Sequence, residues 1–159
     1  MSQIEDRLRA MGFELPTLPA PVGNFEYGSI DNRTLYLSGQ GPVLENGQLA
    51  RGKVGLDVTT EDAYHHAQRT GLVLIAAMKH MLGSLEHVVK IQKVFGMVNA
   101  TPDFADHPAV INGCSDLFND VFGEAGRHAR AAVGMGSLPG QITVEIDAII
   151  SISPSWREA

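Results

Sequence analysis

The sequence predicts an α/β (α+β) domain, a mixed β-sheet with two helices packed on one face. Three observations lead there. Segments of strand and helix character follow the order β-β-α-β-α-β-β, so a strand–helix–strand crossover occurs twice. Two long segments carry apolar residues at helical spacing between start and stop signals. The C-terminal segment alternates with period two, with Ile142, Val144, Ile146, Ala148, Ile150 and Ile152 on one side. Thr143, Glu145, Asp147, Ile149 and Ser151 take the other. The second face of such a sheet is bare and partly apolar, which predicts self-association.

Ser2 and Glu5 form a capping-box pattern that opens a short helix over residues 2–11, with Gly12 as its stop. Ile4, Leu8 and Met11 make its apolar stripe, and it is expected to pack as an add-on. Pro16, Pro19 and Pro21 then force an extended linker. The expected organisation is an extension over residues 1–20, a domain over 21–153 and a tail over 154–159. Phe25–Ser29 and Thr34–Leu37 read as strands joined at Ile30–Arg33. Ser38-Gly39-Gln40-Gly41-Pro42 reads as a glycine-bearing loop, and Asn46-Gly47 as the centre of a hairpin turn.

Thr59 and Asp62 repeat the capping pattern and open a long helix to about Leu82, which Gly83 stops. Ala63, Ala67, Leu74, Ile75 and Met78 form its buried side. Val88–Val98 reads as a long strand, and Thr101-Pro102-Asp103 starts a turn. Residues 106 to about 122 form the second long helix, with Val110, Cys114, Leu117, Phe118 and Val121 at helical spacing and Gly123 and Gly126 at its end.

Residues 127–153 read as a β-hairpin turning at Ser137-Leu138-Pro139-Gly140, since Pro-Gly suits the centre of a type II turn. If Leu138 and Gln141 close the turn, Gly134 lies opposite Glu145. Met135, Val133 and Ala131 then join the isoleucines in the core. Arg130, Ala132, Gly134 and Gly136 join Glu145 on the other face, a nearly naked floor for a shallow anion-binding pocket. Arg130 and Glu145 would stand about four residue pairs apart, roughly 13 Å at ~3.3 Å per residue. Both side chains must lean inward, or a second subunit must complete the site.

A chain of 159 residues is one domain and can bury its core without metals or disulfides. The net charge of −6, from 12 basic and 18 acidic residues with no basic run, argues against a nucleic-acid partner. Cys114 is the single cysteine, so no internal disulfide forms and a reducing compartment is expected. The N-terminal residues have no signal-peptide character, and no apolar run approaches the ~20 residues of a membrane span. A cytoplasmic protein with no membrane partner is expected.

Leu37-Ser38-Gly39-Gln40-Gly41-Pro42-Val43, His128-Ala129-Arg130-Ala131-Ala132-Val133, Leu138-Pro139 and Val144-Glu145-Ile146-Asp147-Ala148-Ile149 together resemble the reactive intermediate deaminase (Rid, or YjgF-like) family. The resemblance covers about residues 21–152, and the extra N-terminal helix resembles a longer branch of that family. It implies a chorismate-mutase-like fold and a homotrimer whose sheets meet around the centre, with sites at subunit interfaces. It also implies hydrolysis of enamines or imines derived from amino acids to 2-keto acids and ammonia, with no metal or organic cofactor. Arg130 would then clamp the substrate carboxylate through its planar fork, which Lys cannot mimic. Glu145 would orient or activate the attacking water. The Ser38-Gly39 segment would let the backbone approach the ligand closely. Asn112 matches a polar pocket position. Two positions depart from the family pattern: Phe25 stands where a Tyr is frequent, and Ala132 where one branch has Cys.

Other roles stay open at this point. Arg130 could pair with Asp147 or a neighbour's acid, Glu145 could be a solvated or interface charge, Phe25 could be core, and Asn112 an ordinary helix-surface residue. A small-carboxylate-binding or regulatory trimer without turnover is the alternative function, favoured by Phe25. The family's ribonuclease or translation-inhibitor label fits poorly with an acidic chain lacking a catalytic His pair. His65 and His66 are adjacent and point apart, and His80, His87, His107 and His128 are scattered, so no metal site is expected; His128, two residues before Arg130, can point the same way along the strand, and a pocket role for it stays open. Ser38 has no His/Asp partners in triad spacing, and Cys114 reads as inert core.

Overall fold

Capping decides where the helices begin. The computed structural model describes residues 2–157. Helix α1 (Gln3–Ala10) starts at Ser2, which completes a reciprocal capping box with Glu5. Helix α2 (Thr60–Leu82) starts at Thr59, whose hydroxyl accepts from the Asp62 N–H, and ends at Gly83 in the left-handed region (φ 76°). Thr59→Ala is expected to cost ~1 kcal/mol of stability, read as a lower urea midpoint at unchanged slope. Helix α3 (His107–Phe122) has Pro108 in its first turn, where the missing N–H costs nothing, and ends at Gly123.

The strands are β1 (Gly28–Asp31), β2 (Thr34–Gln40), β3 (Val88–Asn99), β4 (Ala129–Met135) and β5 (Val144–Ile152). They form one sheet in the order β1-β2-β5-β3-β4. Only the β3–β4 pair is parallel; the others run antiparallel. Helices α2 and α3 pack on each other and on one sheet face. Between them and the sheet lie Phe118, Ile111, Ile75, Val94, Ile146 and Ile150, all fully buried. The mixed sheet with α2 and α3 on one face is the expected fold. The N-terminal extension also joins the core: Leu8 is buried, and Arg7 Nη1 donates to the Val121 carbonyl of α3.

Three local readings need correction. The turn between the first strands sits at Asn32-Arg33, with Asn32 at φ 54°, because Asn tolerates the left-handed region. Phe25, Glu26 and Tyr27 precede β1 rather than begin it. Ser38–Gln40, expected as loop, extends β2 through an irregularity between Leu37 and Gln40 in its pairing with β5.

The largest correction concerns the expected C-terminal hairpin. Strands β4 and β5 are not neighbours, because β3 lies between them. The Pro139-Gly140 turn forms, closed by Gln141 N–H to Leu138 C=O at 2.9 Å, with Gly140 at φ 61°. It sends the chain away from the sheet edge and back to its centre. The segment after the turn is tied to residues 50–52 instead of to β4, through Gly52 N–H to Gln141 C=O at 2.9 Å and Thr143 N–H to Ala50 C=O at 3.2 Å. Turn chemistry fixes a reversal; it does not choose the pairing partner. β5 is at least half-buried at every position. That suits a central strand flanked on both sides, whereas β4, with several exposed positions, takes the edge.

This topology reverses the expected faces of β4. Arg130, Ala132 and Gly134 stand opposite Val94, Gly96 and Val98. Those residues stand opposite Ala148, Ile146 and Val144 of the core-facing set. Arg130 therefore lies on the helix side of the sheet, and Val133, expected in the core, is exposed. Glu145 pairs with Met97 on the bare side, three residues further along β3 than the Val94 that pairs with Arg130. The expected shared floor for Arg130 and Glu145 does not exist within one chain.

Candidate active site

Strand β4 carries Arg130 at the sheet edge, and helix α3 crosses above it. Glycines and small residues set that crossing. A Cβ on Gly96 would strike Ile111, and one on Gly134 would strike His107 Nε2 at 2.5 Å. Ala132 packs against the core between them. Ala132 and Gly134 thus make room for α3, not for a ligand.

The Arg130 guanidinium reaches α3. Its Nη1 donates to Asn112 Oδ1 at 2.8 Å and to Ser115 Oγ at 3.1 Å. Nη2 makes a long contact to the Pro108 carbonyl at 3.5 Å. Both Nη1 hydrogens are thereby used. Nε has no partner among the described residues, so the Nε/Nη2 edge is the fork left for a carboxylate. A hollow of about 240 Å³ beside it is lined by Ser115, Asn119, Arg127, His128 and Arg130. Of its two arginines, Arg127 is ion-paired with Glu124 at 3.3 Å, and Arg130, with neutral partners, is the one placed to meet an anion. Arg130 does not pair with Asp147; among the described residues its partners are neutral.

Ser115 and His128 complete this cluster. His128 Nδ1 lies 2.5 Å from the Gly126 carbonyl, and His128 Nε2 lies 2.8 Å from Ser115 Oγ. Sequence reasoning missed Ser115 and left His128 without a role. A usable signal was present: Ser115 follows Asn112 by three residues and shares its helix face, and His128 precedes Arg130 by two on the same strand side.

The other predicted residues gather on the opposite face. Gly39 lies against Glu145: a Cβ on Gly39 would sit 2.9 Å from Glu145 Oε2. Its missing side chain leaves the carboxylate its space. Ser38 Oγ donates to the Glu26 carbonyl at 2.6 Å, and Ser38 N–H donates to Tyr27 C=O at 2.9 Å. This ties the segment carrying Phe25 to β2 beside Glu145. Phe25 itself is 47% exposed and is not core. Burial, and then the nearby Asp147 carboxylate, raises the Glu145 pKa above the ordinary carboxylate range. Asp147 is raised as well, by burial, with Lys93 working against it.

The candidate residues therefore fall into two groups: Arg130 with Asn112, Ser115 and His128 on the helix side at the edge, and Glu145 with Ser38, Gly39 and the Phe25 segment on the bare face. The bare face also carries exposed Tyr36 and Val133. Among the described residues, no group of three His, Cys, Asp or Glu is placed to hold a metal ion. Cys114 is fully buried, and burial pushes its thiol pKa up. No helix of the described residues is long and apolar enough to cross a membrane.

A mixed five-stranded sheet backed by two helices, with an edge arginine and a bare face carrying an acid, defines a class of small α+β proteins. Residues 5–143 match the family model described as "YjgF/chorismate mutase-like, putative endoribonuclease", and the chain belongs to that family. It is 34% identical over 152 residues to Protein TCP17 of Trypanosoma cruzi, covering 95% of each chain. It is 26% identical over 142 residues to a 2-iminobutanoate/2-iminopropanoate deaminase of Dermatophagoides farinae, covering 86% of this chain and 92% of that one. Among solved structures, the protein Atu1372 of Agrobacterium tumefaciens superposes with a TM-score of 0.85 at 43% identity, covering 94% of both chains.

Proposed function

We propose that this protein is a cofactor-independent hydrolytic deaminase of small 2-imino acids and their enamine tautomers, yielding 2-keto acid and ammonia. The observation that carries this reading is Arg130 itself, which lines a hollow of about 240 Å³, has only neutral partners and keeps its Nε and one Nη2 hydrogen unused. The likeness to a named iminobutanoate deaminase over most of both chains supports it. Arg130 grips the substrate carboxylate, and Asn112 holds the arginine's other end. Glu145 takes a proton from the water that attacks the C=N carbon. Passed to the nitrogen, that proton completes a carbinolamine; the carbinolamine hydroxyl then gives its own proton, by way of Glu145, to the departing nitrogen, so that C=O forms as the C–N bond breaks and ammonia leaves. Because Arg130 and Glu145 lie on opposite faces of one sheet, the Glu145 that serves a given Arg130 comes from a neighbouring subunit. A homotrimer assembled through the bare faces supplies that neighbour.

A raised Glu145 pKa gives the pH dependence its sign. The base acts only when ionised, so kcat/KM rises with pH along a limb lying above the ordinary carboxylate range and levels off beyond it. Glu145→Gln is expected to remove that limb and lower kcat/KM by about 10²-fold or more. A steady-state profile with imines generated in situ by an amino-acid oxidase checks both.

A second reading, a carboxylate-binding or regulatory trimer without turnover, is favoured by Phe25. It stands exposed with a ring but no hydroxyl to place water. Binding of 2-oxobutanoate with no acceleration of imine hydrolysis would select it. The ribonuclease activity in the family's description is disfavoured by the net charge of −6. RNA cleavage that survives stringent purification and disappears in Glu145→Gln would revive it.

A further inference from the structure

We infer that Ser115 and His128 are positioning residues for Arg130, acting through a hydrogen-bond relay anchored on the Gly126 carbonyl. The inference rests on the reading of Arg130 as a carboxylate clamp. A long arginine side chain at a sheet edge has many rotamers, and each carboxylate bound must meet the cost of selecting one. The relay makes that selection before the ligand arrives.

The direction of every bond in the relay follows from what each group can do. A carbonyl only accepts, so His128 Nδ1 must carry a hydrogen and donate it to Gly126 C=O. In the neutral ring this leaves Nε2 bare, an acceptor. Ser115 Oγ, 2.8 Å away, therefore donates its hydrogen to His128 Nε2. Its hydroxyl is then committed, with its lone pairs turned to Arg130 Nη1 at 3.1 Å. Asn112 Oδ1 takes the other Nη1 hydrogen. A serine alone could rotate its hydrogen towards the guanidinium and repel it; the histidine removes that option.

The anchors are rigid. Ser115 is buried on α3. His128 is held by its own bond to Gly126, and its ring meets the edge of Phe118 at 6.1 Å between centroids. Gly126 is fixed in turn, because a Cβ there would overlap the Phe118 carbonyl. Burial lowers the His128 pKa, the Gly126 hydrogen bond opposes it, and Arg130 and Lys90 add to the lowering; the net shift favours the neutral ring that the relay uses. No part of the relay needs Ser115 or His128 to touch the substrate's reacting atoms.

The test uses the full chain, with 2-oxobutanoate as the calorimetric probe. Ser115→Ala and His128→Leu are expected to weaken binding about tenfold each, the loss of one hydrogen bond to a charged group. His128→Gln, which keeps an acceptor for the serine hydroxyl, is expected to stay within about twofold of the parent. The double variant Ser115→Ala/His128→Leu should be no weaker than either single one, because both break the same chain. Wild-type affinity in His128→Leu, multiplied losses in the double variant, or His128→Gln falling with His128→Leu overturns the relay. Nitrogen-15 NMR of the ligand-free protein gives a separate readout. The His128 ring is expected as the Nδ1–H tautomer, and Ser115→Ala should shift the Arg130 side-chain resonances. An Nε2–H tautomer, or unmoved resonances, overturns the relay. If even the parent protein fails to bind 2-oxobutanoate, the clamp reading fails, and the NMR result alone decides the relay. Should His128→Leu not fold, Ser115→Ala and the tautomer carry the decision.

Discussion

Arg130→Ala is expected to lower kcat/KM for small 2-imino acids by about 100-fold or more and to abolish measurable 2-oxobutanoate binding. A forked charge-assisted contact is worth on the order of 3 kcal/mol, about two decades in affinity. Arg130→Lys should not rescue. An ammonium is a point charge that cannot present the Nε/Nη2 fork while also occupying the Asn112 and Ser115 acceptors now served by Nη1. The fold should tolerate the change, because Arg130 is only half-buried and lines the hollow rather than the core. Steady-state kinetics together with calorimetry check this. Unchanged binding in both variants would remove Arg130 from the site.

Gly113→Ala is expected to have the largest effect on stability, about 3 kcal/mol or more. That is a large share of the roughly 5–15 kcal/mol that holds a domain of this kind together. Helices α2 and α3 touch backbone to backbone at this point. A Cβ on Gly113 would overlap the Tyr64 carbonyl and lie 3.0 Å from the Gln68 nitrogen. Nothing flexible can yield, so the helices must part. Gly71 forms the second close approach, where a Cβ would come 2.9 Å from Leu117 Cδ2. Gly136 has open space around its Cβ position and no left-handed φ. Gly136→Ala should therefore change stability by no more than about 0.5 kcal/mol. Equilibrium denaturation of the two variants side by side measures the contrast. Similar midpoints would mean that α2 and α3 do not pack this closely.

The same crossing sets the surroundings of Arg130. By packing tightly on α2, helix α3 is brought down over β4, so that Asn112 and Ser115 meet Arg130. A variant that loosens the helices is expected to weaken ligand binding before it unfolds the domain.

How much of the fold was legible in the chain depended on whether the signal was local. Helix limits were: Ser2, Thr59 and Gly83 act through bonds to residues at most four positions away, and their chemistry is written in sequence. The inward set of β5 was legible too, because alternation is a property of one strand. Pairing was not. Pro139-Gly140 makes the expected turn, yet β3 enters between β4 and β5, and nothing near the turn encodes that. The error passed directly into the site, since changing the partner of β4 moved Arg130 to the helix face. Asn112 was legible as a pocket position through the family resemblance, but not as the acceptor of Arg130. Ser115 and His128 each lay at a telling spacing from Asn112 or Arg130, but the bond between them was not legible, because it spans a helix, a turn and a strand. The expectation that a neighbour completes the site rested on a strand offset that the true topology replaces. The proposal of a shared site rests instead on a different fact, the placement of Arg130 and Glu145 on opposite faces of the sheet.

That separation makes one measurement decisive. Purified Arg130→Ala and Glu145→Gln proteins are each expected to be inactive. Mixed in equal amounts and allowed to exchange subunits, they will form sites in which an intact Arg130 of one chain meets an intact Glu145 of another. Random exchange predicts recovery to about a quarter of the activity of the parent protein. Recovery of that size, appearing on the time scale of subunit exchange, is the expected result. No recovery despite demonstrated exchange would place both residues' function within a single chain, or outside the reaction altogether, and would contradict a site shared between subunits.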